Sequence, residues 1–205
     1  MKQWFCLSVL LLLLSACSGV TVKEPEQGNR TAYQDRVGKI GAVSEWGLVG
    51  RISLDDGDRG GSGRLQWEVK PGNTELDFHG AMGRGAWQLE IEPGSAALRL
   101  ADGSEHFADG VDALVQQQIG WPIPVKALQW WVRGLAAPGT IDAQQLGADG
   151  LLTSLAQFGW QIDFNRYASD TGVAMPVRLD ARQNDYRVKL AIGRWHLPVN
   201  DVVAN

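Results

Sequence analysis

The residues with chemistry to offer are three histidines, a Ser-Glu-His run, an acidic glycine loop and one cysteine beyond the first apolar stretch. His79, His106 and His196 lie far apart, and none has the spacing of a metal-ligand pair. Ser104, Glu105 and His106 lack the strand-to-helix elbow that exposes a nucleophile, so they do not read as a hydrolytic triad. The stretch from Asp55 to Gly61 has the acidic, glycine-rich character of a calcium loop. It lacks that loop's ligand positions and closing glutamate, and reads as a hairpin connection. The glycines that follow lead into a strand rather than opening a helix, so they form no phosphate cradle. Neither an active site nor a metal or cofactor is expected.

The cysteine is different. Residues 1–16 have a basic start at Lys2, an apolar run ending at Leu14, and small residues before Cys17. The run is too short to span a bilayer and is built like a secretory signal that is removed. Its end, Leu14-Ser15-Ala16-Cys17, resembles the lipobox of bacterial lipoproteins, which implies N-acylation and S-diacylglycerol on Cys17. The alternative is an ordinary signal cut nearby, leaving a free thiol. Ser18 follows where Asp resembles an inner-membrane retention signal, so the resemblance implies the outer membrane. Residues 17–29 then read as a lipidated, polar tether reaching roughly 40 Å when extended.

Residues 30–205 are expected to form one domain. Cys6 leaves with the signal and Cys17 carries lipid, so no disulfide remains and stability rests on an ordinary core. The formal charge of −4 argues against nucleic acid as a partner.

The elements follow from hydrophobic periodicity. Residues 31–43 place Tyr33, Val37 and Ile40 on one helical face. From Trp46 the period becomes two: Trp46, Leu48, Ile52 and Leu54; Leu65, Trp67 and Val69; Leu76 and Phe78; Trp87, Leu89 and Ile91; Leu98 and Leu100. Glycine or proline turns separate these runs, and alternation resumes in 160–164, 176–180 and 186–195. That is a mainly β (α+β) pattern: an antiparallel meander with one apolar and one polar face. Between the strand groups, a helix is expected from a cap at Asp109 to Gly120. Another starts at Pro124 and ends near Gly134. Two short helices cannot cover so many strands, so the sheet either curls onto itself or encloses something. Nine tryptophans, one of them in the leader, suggest a large aromatic-lined concavity.

The turn His79-Gly80-Ala81-Met82-Gly83-Arg84-Gly85 is anomalous. Turn tips face water, yet this one carries Met82.

The run from Gly120 to Leu135, with Pro122, Pro124, Leu128, Trp131 and Gly134, resembles the outer-membrane lipoprotein receptor family LolB. Trp46, Gly50 and Arg51, Trp67, the 79–85 turn, 159–164, Met175-Pro176 and the run to Trp195 fall in matching order. The resemblance implies a curved antiparallel sheet forming an incomplete barrel of about eleven strands, with short helices as a lid over a hydrophobic cavity. It implies a lipid-anchored, periplasm-facing outer-membrane protein. Such a protein receives acylated lipoproteins from a LolA-like carrier and inserts them into outer-membrane phospholipid.

On that reading Leu48, Trp67, Phe78, Trp87, Leu89, Leu98 and Trp131 line the acyl-binding cavity. Met82 is the membrane-inserting tip, with Arg84 beside it for phosphate, and the protein is a monomer. Arg51, Arg64 and Arg99 either form a basic rim that meets the carrier at the cavity mouth or sit on solvated strand faces; the sequence leaves both open. A structural or assembly lipoprotein that binds a partner protein, or a carrier of free lipid or glycolipid, is also compatible with the pattern.

Overall fold

The computed structural model describes residues 27–80 and 85–198. Its centre is one eleven-stranded sheet in which every neighbouring pair of strands is antiparallel. The first group comprises β1 (Trp46–Asp55), β2 (Gly60–Lys70), β3 (Asn73–Gly80), β4 (Trp87–Glu92), β5 (Ser95–Leu100) and β6 (Glu105–Ala108). After the helices come β7 (Ala143–Leu146), β8 (Leu152–Gln157), β9 (Trp160–Ala168), β10 (Met175–Gln183) and β11 (Tyr186–His196). The spatial order is β6-β5-β4-β3-β2-β1-β11-β10-β9-β8-β7, so two meanders join where β1 pairs with β11. β6 and β7 do not pair with each other, and the barrel stays open. This is the expected incomplete barrel.

The alternation survives in the burial of β1, where Trp46, Leu48, Ile52 and Leu54 are buried and Arg51 and Asp55 exposed. Val188, Leu190 and Ile192 face inward on β11, and Trp195 does too despite its opposite parity. A bulge reconciles them: the β1–β11 register shifts between Val49 and Gly50, which face Arg194 and Ile192. A Cβ on Gly50 would stand 2.6 Å from the Ala191 carbonyl oxygen, so only glycine permits this approach.

Helix α1 (Gln27–Gly41) starts inside the stretch expected to be tether, and its residues Tyr33 and Ile40 are buried as expected. Helices α2 (Val111–Ile119) and α3 (Val125–Trp131) sit within the curl. The expected Asp109 cap is not formed. Gly110 occupies the N-cap position of α2, with no side-chain capping bond. At the other end Gly120 is left-handed at φ 81°, as a helix-terminating glycine should be. Pro124 is the N-cap of α3, and Gly134 ends the following turn at φ 74°.

The register fixes which turns share a rim. Gly63 lies opposite Gly80, Asp55 opposite both Gly60 and Arg187, and Gln183 opposite Tyr186. The β1–β2, β3–β4, β5–β6, β8–β9 and β10–β11 connections therefore project from the same end of the barrel.

Candidate functional site

Two transverse rows of side chains run across the inner face of the first meander. The deeper row is Leu48, Trp67, Leu76, Leu89 and Leu98, each directly opposite the next. All five are buried, and Trp67, Leu89 and Leu98 have no exposed surface. The row nearer the rim is Gly50, Leu65, Phe78, Trp87 and Leu100. Phe78 and Trp87 stack with ring centroids 5.3 Å apart.

Beyond the second row β2 and β3 lose their inward side chains, while β1 keeps Ile52 and Leu54. Gly61 lies opposite Leu54, Gly63 opposite Ile52 and Gly80. The Phe78 ring folds over Gly63, where a Cβ would stand 2.6 Å from it. The space left is a cavity of about 510 Å³ opening at this rim. Leu54, Phe78, Trp87, Leu100, Ile119 and Trp121 form its apolar lining, and Gly60, Gly61, Gly80 and Gly85 border it. Trp121 is steadied from the β11 side by an edge contact with Tyr186, 5.9 Å between centroids.

Charges at the mouth are tied up locally. Arg59 contacts the Asp56 carboxylate at 2.9 Å. Asp56 is held below the usual carboxylate range chiefly by the Arg59 backbone N–H, and Asp102 is held down by hydrogen bonds from Ser104.

The helices behind the cavity are pinned by buried polar groups. Gln157 has no exposed surface; its Oε1 accepts from Trp131 Nε1 at 2.9 Å and from the Ala137 amide at 3.0 Å. Its Nε2 donates to the Ala137 carbonyl at 2.7 Å. Arg133, at the end of the α3 turn, donates to the carbonyl of Ile40 in the last turn of α1 and to that of Val43 just beyond it, and lies over the Trp46 and Trp130 rings. Burial lowers its pKa to about 10, and the carbonyl dipoles of α1 supply the compensation. Arg36 of α1 donates to the carbonyls of Ala174 and Arg133, joining α1 to the second meander.

The expected lining residues therefore divide. Phe78 and Trp87 face the cavity. Leu48, Trp67, Leu89, Leu98 and Trp131 belong to the packed interior behind it. Leu54, Leu100, Ile119 and Trp121 line it without having been singled out. Leu54 and Leu100 carried the inward alternation, and Trp121 lies inside the 120–135 motif. Met82, Arg84 and Cys17 lie outside the described residues. Gly80 and Gly85, which flank Met82, border the cavity mouth, and Gly85 has φ 73°.

The basic rim is not at the mouth. Arg51 and Arg64 oppose each other midway along the outer face, and Arg99 is bound to Glu105. The strand alternation that turns Leu65 and Ile52 inward turns these arginines outward. Among the described residues, no group of three or more His, Cys, Asp or Glu could hold a metal ion.

An open antiparallel barrel, plugged by helices and carrying an apolar cavity at one rim, defines a protein built to shelter an apolar guest. The model of the family "Outer membrane lipoprotein LolB" matches residues 44–195, and the chain belongs to that family. A protein from Pseudomonas paraeruginosa named outer-membrane lipoprotein LolB is 35% identical over 193 residues, covering 93% of this chain and 94% of its own. Its namesake from Pseudomonas putida is 34% identical over 188 residues, covering 91% and 92%. Among solved structures, a DUF1329 family protein from Desulfovibrio piger aligns with a TM-score of 0.50 at 7% identity. That alignment covers 86% of this chain and 94% of the other, a likeness of fold alone.

Proposed function

We propose that this chain is an outer-membrane lipoprotein that accepts acylated lipoproteins from a LolA-like periplasmic carrier and delivers them into the outer membrane. The observation that carries this reading is the apolar rim cavity, placed beside the β3–β4 turn in a member of this family. The reading assigns the protein no chemical step.

Magnitudes explain why such a receptor is needed. Each buried methylene is worth about 0.8 kcal/mol. Three chains of roughly fifteen methylenes would therefore cost on the order of 36 kcal/mol to expose to water. The guest must pass from one apolar enclosure to another, and without an energy source it must run toward tighter binding.

A methylene fills about the volume of one water, roughly 30 Å³. The cavity of about 510 Å³ thus holds about 17 methylenes, enough for one chain. Phe78 and Trp87 receive the first chain. Leu48, Trp67, Leu89, Leu98 and Trp131 become the lining for the others once the helices shift. Cys17, carrying N-acyl and S-diacylglycerol groups, anchors residues 30–205 as a single monomeric domain. Met82 dips into the phospholipid, with Arg84 at the headgroups.

The decisive experiment is a transfer assay. Carrier loaded with an acylated lipoprotein should yield its guest to this protein, and the same guest with its acylated cysteine replaced should not be taken. Equal transfer of both forms would favour a partner-binding assembly protein.

A further inference from the structure

The outer face of the sheet carries a line of arginines that the acyl cavity does not use. Arg64 on β2 lies directly opposite Arg51 on β1, Arg51 opposite Ala191 on β11, Ala191 opposite Arg178 on β10, and Arg178 opposite Arg166 on β9. His79 on β3 continues the line beyond Arg64. All four arginines are exposed. Among the described residues, none of their side chains has a hydrogen bond or ion pair. With strands about 4.8 Å apart, the line from Arg64 to Arg166 spans roughly 19 Å.

Like charges placed directly opposite across a strand pair repel. This chain, acidic overall at −4, does so twice in one line, at Arg51/Arg64 and at Arg166/Arg178. Two other outward arginines have carboxylate partners, Arg99 with Glu105 and Arg182 with Asp163, whereas Arg187 and Arg194 on β11 stand outside the line and are exposed without one among the described residues.

Between the two pairs the small Ala191 leaves a groove of about 330 Å³. Arg51, Arg178 and Lys189 line it together with Asp180, the cross-strand neighbour of Lys189, and Ser53 and Ser62 border it. Three cations against one carboxylate, with hydroxyl donors and forked guanidiniums, suit tetrahedral oxyanions.

We propose that this line is a docking face for phospholipid headgroups, on which the wall formed by β2, β1, β11, β10 and β9 rests against the bilayer. The proposal builds on the reading of the chain as lipid-anchored. Nine residues lie between Cys17 and the start of α1 at Gln27, ten steps with a reach of at most roughly 35 Å. Every anchored molecule thus has headgroup phosphates within range of the face, whereas a soluble acidic partner must be met by diffusion. Arg51 lies four residues from the rim end of β1, about 13 Å along the strand. A barrel leaning on this wall keeps its cavity mouth at the membrane.

The test uses the full lipidated chain, inserted by its own anchor into vesicles of phosphatidylethanolamine and phosphatidylglycerol or into vesicles of phosphatidylcholine. Phenylglyoxal modification, read by mass spectrometry, reports each arginine's access, with Arg99 as internal reference. Arg51, Arg64, Arg166 and Arg178 should be protected fivefold or more on the anionic vesicles, and the protection should vanish in 0.5 M salt. Equal reactivity on both vesicles would overturn the proposal. So would equal protection by millimolar inorganic phosphate on phosphatidylcholine, which would make the groove a site for free anion. The double variant Arg51→Gln/Arg178→Gln, relieved of repulsion, should fold at least as stably and remove the protection of Arg64 and Arg166; retained protection would count against the face. Guest acceptance on the same vesicles reports on the receptor reading alone. Its loss with protection intact leaves the headgroup face standing, and protection absent with acceptance intact ends it.

Discussion

Gln157 and Trp131 are joined by a 2.9 Å hydrogen bond inside the barrel, and through it the last turn of α3 is fastened to the end of β8. The same amide also satisfies both backbone groups of Ala137. Replacing Gln157 by Leu leaves an indole N–H, an amide and a carbonyl buried without partners. At about 1–3 kcal/mol for each group, the loss of stability should reach at least about 3 kcal/mol. Thermal or urea denaturation of Gln157→Leu measures it, and a change under 1 kcal/mol would show that water fills the gap.

Trp87 and Leu89 point to the same face of β4, two residues apart, but into different surroundings. Trp87 faces the cavity, and Leu89 is sealed in the deeper row. Trp87→Asp should fold and accept acylated guests at least tenfold less well. Leu89→Asp should fail to fold, because a carboxylate there meets only packed side chains. Circular dichroism and the transfer assay together separate the two; equal behaviour would contradict the division between cavity and core.

Gly61 and Gly63 form a second contrasting pair. A Cβ on Gly61 meets nothing within 4 Å, whereas one on Gly63 would stand 2.3 Å from the His79 carbonyl oxygen. Gly61→Leu should fill the cavity with little effect on stability, lowering acceptance of guest. Gly63→Ala should cost on the order of 1–3 kcal/mol by overpacking. A Gly61→Leu protein with unchanged acceptance would mean that guests enter elsewhere.

Met82 is the subject of the sharpest functional test. Burying one methionine in lipid contributes only about 1.5–3 kcal/mol, enough for reversible contact and too little for anchoring. Met82→Glu should fold and accept guest normally while release into vesicles falls severalfold. Lost stability with release preserved would instead mark Met82 as a packing residue of its turn.

Cys17 should act as anchor alone. A secreted form with Cys17 and its leader replaced should stay soluble and still accept guest; a folded form unable to accept it would make the lipid part of the transfer step.

The amino-acid sequence by itself determined which side chains face inward on the long strands. A period of two survives any context in which one face is buried, and Leu48, Trp67, Phe78, Leu89 and Leu98 all obeyed it. It also determined the helix pair and the left-handed glycine at Gly120, since hydrophobic spacing and glycine punctuation are local properties. The short outer strands β6 and β7 are mostly exposed and carry no apolar alternation, and β8 has its leucines at 152 and 155, out of step with a period of two, so all three went unmarked. Only the tertiary structure decided how deep each inward residue lies. Alternation specifies a face, whereas depth depends on what stands opposite in the neighbouring strand. Trp87 borders the cavity because the glycines of β2 leave space near it, and Leu89 does not because Leu76 and Leu98 flank it. Register likewise made one line of four arginines scattered from 51 to 178, and a single bulge opposite Val49 returned Trp195 to the core. Such relations are set by cross-strand pairing, which at the β1–β11 join links segments more than a hundred residues apart, and periodicity along one strand carries no trace of them.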